Sequence, residues 1–392
     1  MKRPAAGTVS GYRPGPPAGH HGRVRIDQIE LREIGLRLRF RFETSFGVEQ
    51  DRRILLVTVR GEGGEGVAEC VAGETPGYAY ETVDTAWGVL RDVVAPAVLG
   101  RDFATPAQLL RALGFVRGHD MAVASVEMAF WDLWSRALEL PLWRLLGGVR
   151  TEVPVGVSLG IQDSADATAD LATAHVAEGY KRVKLKIKPG WDEAAVRAVR
   201  LALPDTDLSV DANSAYRLVD VQALRRLDDY GLAYIEQPLA HDDLIDHATL
   251  QRQLRTAICL DESIHSAEDA RKALELGAAR VINVKVGRVR GYVQAQRLHG
   301  VAVAFGAPLW CGGMLESGVG RAHNLHLSSL EGFVLPGDTA SASRYWEEDI
   351  VEPLLDAVDG VQRIPPGPGS GVALKRDLAE RLTRRVETLR PA

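Results

Sequence analysis

Val210-Asp211-Ala212-Asn213, Ile235-Glu236-Gln237-Pro238 and Leu260-Asp261-Glu262-Ser263 are three short runs in which an aliphatic residue is followed by an acid, and the acids stand 25 residues apart (211 to 236, 236 to 261). That interval is about one strand, one loop and one helix, so it predicts a repeating strand–helix unit with a carboxylate at equal height on each of three neighbouring strands. Twenty-five residues before Asp211 the chain reads Lys184-Leu185-Lys186, and 24 residues after Asp261 comes Lys285. Residues i and i+2 of a strand face the same way, so Lys184 and Lys186 are predicted to point inward with Leu185 turned out.

Working outward, β-branched runs at 154–160, 182–187, 208–213, 234–238, 258–263, 281–286, 308–312 and 333–337 alternate with longer helical segments. Eight candidate strands with short connections imply parallel pairing and right-handed crossovers, and closure into an α/β barrel over 151–340. Upstream, strand-like alternation from Val24 to Val59 is followed by a glycine-rich turn at 61–66. The helical spacing of Ala124, Met128, Trp131 and Leu138 then takes over, which predicts a separate α+β domain over 23–150. The Pro- and Gly-rich stretch 1–22 reads as a flexible tail without the apolar run of a secretory signal, and its His20-His21 pair as inert. Residues 341–392 are expected to pack back on the first domain.

Composition narrows the partners. The 392 residues are 46% hydrophobic and 25% charged, enough for a large core, and the formal net charge of −5 provides no basic field for nucleic acid or an anionic membrane. A cytoplasmic protein with a small-molecule partner is expected. Cys70, Cys259 and Cys311 are few and far apart, which suits buried reduced thiols.

Three carboxylates converging at the C-terminal mouth of a barrel would repel one another unless a cation lay between them. All-oxygen ligation without histidine suits magnesium, with manganese able to substitute. The bland alternative is that each acid caps a helix or pairs with a barrel lysine. With a dication and Lys184 nearby, Lys186 would lose its proton near neutral pH and serve as a general base. The order lysine, acid, acid, acid, lysine sets Lys186 and Lys285 across the mouth from each other, a geometry suited to moving the proton α to a carboxylate. Arg288 either tunes Lys285 by its charge or is a solvated surface residue. A zinc barrel would need a His-x-His pair, which is absent; His323 and His326 have helical spacing and are not expected to be ligands.

On these residues the chain resembles the enolase superfamily, and within it the muconate-lactonising subgroup. The likeness is strongest to o-succinylbenzoate synthases that also act as N-acylamino acid racemases, through Lys184-Leu185-Lys186-Ile187-Lys188-Pro189-Gly190, Trp310-Cys311-Gly312-Gly313-Met314-Leu315-Glu316-Ser317-Gly318 and Leu335-Pro336-Gly337-Asp338-Thr339. The resemblance implies a modified TIM barrel, (β/α)7β, with an α+β N-terminal capping domain, and an enzyme of menaquinone biosynthesis that works as a homo-oligomer. It implies that Lys186 and Lys285 are the acid/base pair, that Asp211, Glu236 and Asp261 hold Mg2+, and that Lys184, Asn213 and Glu262 support them. Capping loops at 42–47 and 72–80 would supply Phe46 and Tyr78 to the substrate pocket, and the barrel Ser158, Gly313, Met314 and Leu315. Strand eight lacks the Asp-x-Asp of dipeptide epimerases, which disfavours a dipeptide substrate. Muconate cycloisomerisation and a noncatalytic, cation-stabilised barrel are the competing readings.

Overall fold

The computed structural model describes residues 23–391. The tail expected over 1–22, with His20-His21, lies outside the described residues.

Strands β1 (Gln28–Glu43), β2 (Val48–Gly61) and β3 (Gly64–Cys70) form an antiparallel meander, in which Ile29 lies opposite Val59 and Val57 opposite Ala68. Ile54, Leu55, Leu56 and Val57 are all buried, the pattern of a strand covered on both faces. The helix Asp120–Ala137 lies against this sheet. Gly66 permits the approach, because a Cβ there would stand 2.1 Å from the Ala129 carbonyl oxygen.

The second part is a curled parallel sheet of seven strands in sequential order: β4 (Val157–Leu159), β5 (Val183–Lys186), β6 (Leu208–Asp211), β7 (Tyr234–Glu236), β8 (Ala257–Leu260), β9 (Val281–Val284) and β10 (Leu309–Cys311). The eighth expected strand is not a strand. Residues 333–337 close the barrel through single parallel bridges, Phe333 to Leu309 at one edge and Gly337 to Val155 at the other. Proline at 336 removes a donor from this run, and the Leu335 and Gly337 amides bond outward to Leu309 and Pro154 at 3.2 and 3.3 Å. The last strand, β11 (Thr383–Leu389), returns to pair antiparallel with β1, Val386 opposite Arg32, so the capping sheet runs β11-β1-β2-β3.

Register corrects one expectation. Asp211 lies opposite both Lys186 and Glu236, at the level the spacing predicts. Glu236, however, lies opposite Cys259, so Asp261 stands two residues further along β8's direction. Strands of a closed barrel tilt and stagger, and a two-residue step keeps a side chain on the inner face while moving it up the strand. Equal sequence spacing is therefore not equal register.

Below the mouth the barrel is plugged by Tyr234, Cys259, Val281 and Trp310, with the Tyr234 and Trp310 rings stacked at 5.7 Å. The Arg182 guanidinium lies 4.8 Å and the Lys184 ammonium 4.5 Å from the Trp310 ring centre, so cations cover the plug. Among the described residues no helix is long and apolar enough to cross a membrane. All three cysteines are buried and free.

Candidate active site

The charged residues meet where β5 to β9 end. Lys186 donates to Asp211 Oδ2 and to Asn213 Oδ1, both at 2.6 Å. Lys184 reaches Glu236 at 2.7 Å, Asp338 at 2.9 Å and Asp211 at 3.4 Å. Lys285 pairs with Asp261 at 2.7 Å and donates to the Tyr78 hydroxyl at 3.0 Å. All three lysines and all three acids are at most 9% exposed, so each charge relies on its neighbours in place of water.

On Asp211, Glu236, Lys184 and Lys285 burial opposes the charge, and the partners decide the outcome. For Asp211 the ammonium groups of Lys186 and Lys184 outweigh burial and hold the carboxyl well below the usual carboxylate range. Glu236 goes up, because burial and the Asp211 charge prevail over Lys184. Glu262 is pushed up to about 7 by burial, then by Asp211. Lys184 is raised despite burial by Asp338, Glu236 and Asp211, and Lys285 despite burial by Tyr78, Glu262 and Glu236. Lys184 is thus a cation shared among three carboxylates, which spreads the repulsion it was expected to exert on Lys186.

As the side chains stand, no three acids among the described residues converge closely enough to ligate one ion, because Asp211, Glu236 and Asp261 are each turned onto an ammonium group. The donor set nonetheless suits a hard divalent cation. It consists of carboxylate oxygens, and two further acceptors beside them, Glu262 Oε2 and Asn283 Oδ1, are buried without a hydrogen-bond partner.

Lys186, Asn213 and Lys285 open on one cleft, walled by Phe42, Phe46 and Tyr78 from the capping loops and by Gly313, Met314 and Leu315 after β10. Phe46 is 43% exposed at the rim. Tyr78 is more than a wall, since its hydroxyl donates to Asp261 Oδ1 at 3.0 Å while accepting from Lys285 and Arg288. Ser158 does not line the cleft; it donates to Asp338 at 3.1 Å one layer below. Asn213 links Lys186 to Glu262, its amide donating to Glu262 Oε1 at 2.9 Å. It also sits at φ +43°, as Gln237 after the next strand sits at +37°, left-handed positions that cost about 1 kcal/mol or more each.

Some residues named in the sequence take a definite place here, and others were not singled out there at all. Arg288, left open between tuning and solvation, is 1% exposed, ion-pairs with Asp261 and donates to the carbonyls of Ile264 and Asn283 at 2.8 and 2.6 Å. Arg182 and Asp338 pair with each other beneath Lys184. Gln237 accepts from the Asp261 amide at 3.0 Å and fixes that loop. A signal for Arg182 and Asn283 was present, since each lies two residues before an inward lysine and so faces inward too. His323 and His326 are buried and bonded to the Val67 and Ser370 carbonyls, so they are structural. Lys188 reaches Glu43 of the first capping loop at 3.1 Å.

Residues 28–147 match the mandelate racemase/muconate lactonizing enzyme N-terminal domain, and residues 167–378 match the enolase C-terminal domain-like family. The chain is 57% identical to the N-succinylamino acid racemase of Thermus thermophilus, over 92% of this chain and 98% of that protein. It is 48% identical to the o-succinylbenzoate synthase of Geobacillus kaustophilus, over 92% and 96%. Muconate cycloisomerase 1 of Rhodococcus opacus is 28% identical over 84% and 91%. Among solved structures, an enolase superfamily member from Listeria innocua superposes with a TM-score of 0.90 at 36% identity, covering 94% of this chain and 99% of that one.

Proposed function

Because the chain belongs to the enolase superfamily, with the N-terminal and C-terminal domains of its mandelate racemase/muconate-lactonising branch, we propose that it moves the proton α to a carboxylate, as an o-succinylbenzoate synthase, an N-acylamino acid racemase, or both. The observation that carries this reading is the pair of buried amines, Lys186 and Lys285, opening on one cleft with Asp211, Glu236 and Asp261 on the strands between them. The far lower identity to a muconate cycloisomerase weighs against that reaction.

Asp211, Glu236 and Asp261 would hold a divalent cation, magnesium or manganese, whose charge next to the substrate carboxylate makes the α-proton more acidic. Lys186 and Lys285, which now pair with Asp211 and Asp261, would then be free to face the α-carbon from opposite sides. In racemisation one amine takes the proton and the other, already an ammonium, returns one to the far face. In the synthase reaction Lys186 takes the proton and later protonates the departing hydroxide, and Lys285 stays an ammonium facing the developing negative charge. Asn213 keeps Lys186 aimed by its 2.6 Å contact, and Tyr78 does the same for Lys285. The apolar walls, Phe42, Phe46, Met314 and Leu315, keep water from the carbanion.

The test is deuterium incorporation at the α-carbon of N-succinylphenylalanine in D2O with Mg2+, run alongside a dehydration assay on the same preparation. Exchange or dehydration that disappears with Lys186→Ala supports the proposal. Absence of both activities in the wild-type protein favours a noncatalytic barrel.

A further inference from the structure

The cleft contains one cation that the proton-transfer reading does not use. Arg52, on β2 of the capping sheet, lines the cleft yet is only 5% exposed. Its Nη2 donates to the Met314 carbonyl oxygen at 2.9 Å, which ties it to the loop that forms the opposite wall. Its Nη1 is ion-paired with the Glu49 carboxylate, and its Nε is buried without a partner. The guanidinium is thus fixed in place and incompletely satisfied. Glu49 is different: its side chain is 39% exposed, so its carboxylate already borders solvent and is rehydrated when another anion takes its place on Arg52.

A buried arginine covered by a part-exposed carboxylate of the same chain is a receptor for a carboxylate, held closed by a stand-in. Arginine binds carboxylates through paired, charge-assisted hydrogen bonds that a neutral group cannot reproduce. Resting on the function proposed above, we infer that Arg52 determines substrate choice by receiving the distal carboxylate of a dicarboxylic acyl arm, a succinyl group, in exchange for Glu49. The α-carboxylate lies at the lysine end of the cleft and the second carboxylate at the Arg52 end, with the methylenes against Phe46 and Met314. A neutral acyl group finds Glu49 still in place and gains nothing from Arg52.

Arg52 also acts as a countercharge near the buried Glu69, so a merely structural role is the alternative to exclude. The Mg2+-loaded protein is assayed with N-succinylphenylalanine and N-acetylphenylalanine, which differ in the distal carboxylate. Arg52→Gln is expected to lower kcat/KM about 30-fold more for the succinyl than for the acetyl substrate, chiefly through KM. Equal losses on both substrates, or no loss, overturn the inference. Glu49→Gln, which leaves Arg52 in place near Glu69, covers the case in which Arg52→Gln fails to fold. It is expected to shift the succinyl-to-acetyl ratio of kcat/KM upward by about 3-fold or more, and an unchanged or lowered ratio overturns the inference. A wild-type protein that exchanges both substrates equally well sinks the Arg52 role alone and leaves the proposed function standing. One that exchanges neither overturns the inference, and takes the proposed function with it only if the dehydration assay is blank as well.

Discussion

Lys186 and Lys285 carry different contacts, and their loss should read differently. Lys186→Ala is expected to lower racemisation and dehydration by about 10³-fold or more. Lys285→Ala should abolish interconversion while leaving α-deuterium exchange into one enantiomer, which chiral chromatography of the exchanged N-acylamino acid would reveal. Full racemisation in both directions by that variant contradicts two opposed bases. Asn213→Ala removes the 2.6 Å contact that aims Lys186 and should lower kcat about 10- to 100-fold with little change in KM. At this scale the inward lysines and the acids were readable, because period two on a strand and a 25-residue repeat are both one-dimensional signals. Asp338 and Arg52 were not, since each matters through a partner far away in the chain, Arg182 and Lys184 for the first, the Met314 carbonyl for the second.

Between elements, the capping sheet grips the loop after β10 through a buried acid. Glu69, at the end of β3, accepts from the Ser317 amide at 3.0 Å and from the Ser317 hydroxyl at 2.6 Å, just before the helix Gly318–Leu327. Burial, followed by the charge of Glu316, pushes its pKa up to about 8 from 4.5. A carboxyl with a raised folded pKa keeps a proton that the unfolded chain has lost, so its contribution to stability is complete below pH 4.5 and is lost as pH rises through about 8. Thermal melts should therefore show stability declining across that window, and Glu69→Gln should flatten the profile. An identical slope in both proteins would remove Glu69 as the cause. The strands and helices at this scale were legible from hydrophobic period. The stagger at Asp261 and the bridging form of 333–337 were not, because register and closure depend on tilt around the whole ring.

For the molecule as a whole, two measurements bear on how its parts depend on each other. If Asp211, Glu236 and Asp261 bind a divalent ion, a hundred-fold excess of Mg2+ over its Kd stabilises the folded state by about 2.7 kcal/mol, and melting should shift upward by several degrees relative to EDTA. Coincident melting curves would mean that the acids serve their lysines alone. Ending the chain after Leu382 removes β11 and bares the β1 edge, which should cost about 3 kcal/mol or more and promote association through that edge. Unchanged denaturant unfolding would show that β11 is dispensable. The two-part architecture was visible in the switch from strands to helices to strand–helix repeats. The pairing of β11 with β1 joins residues some 350 positions apart, beyond the reach of any local pattern.

That pairing has a temporal side. As the polypeptide leaves the ribosome, β1 emerges first among the strands of its sheet and must wait, with one flank bare, through the synthesis of an entire barrel before its neighbour arrives. The roof over the chemistry is consequently the earliest part begun and the latest finished, and a nascent chain stalled short of residue 383 would own the lysines and acids but not a complete cover for them.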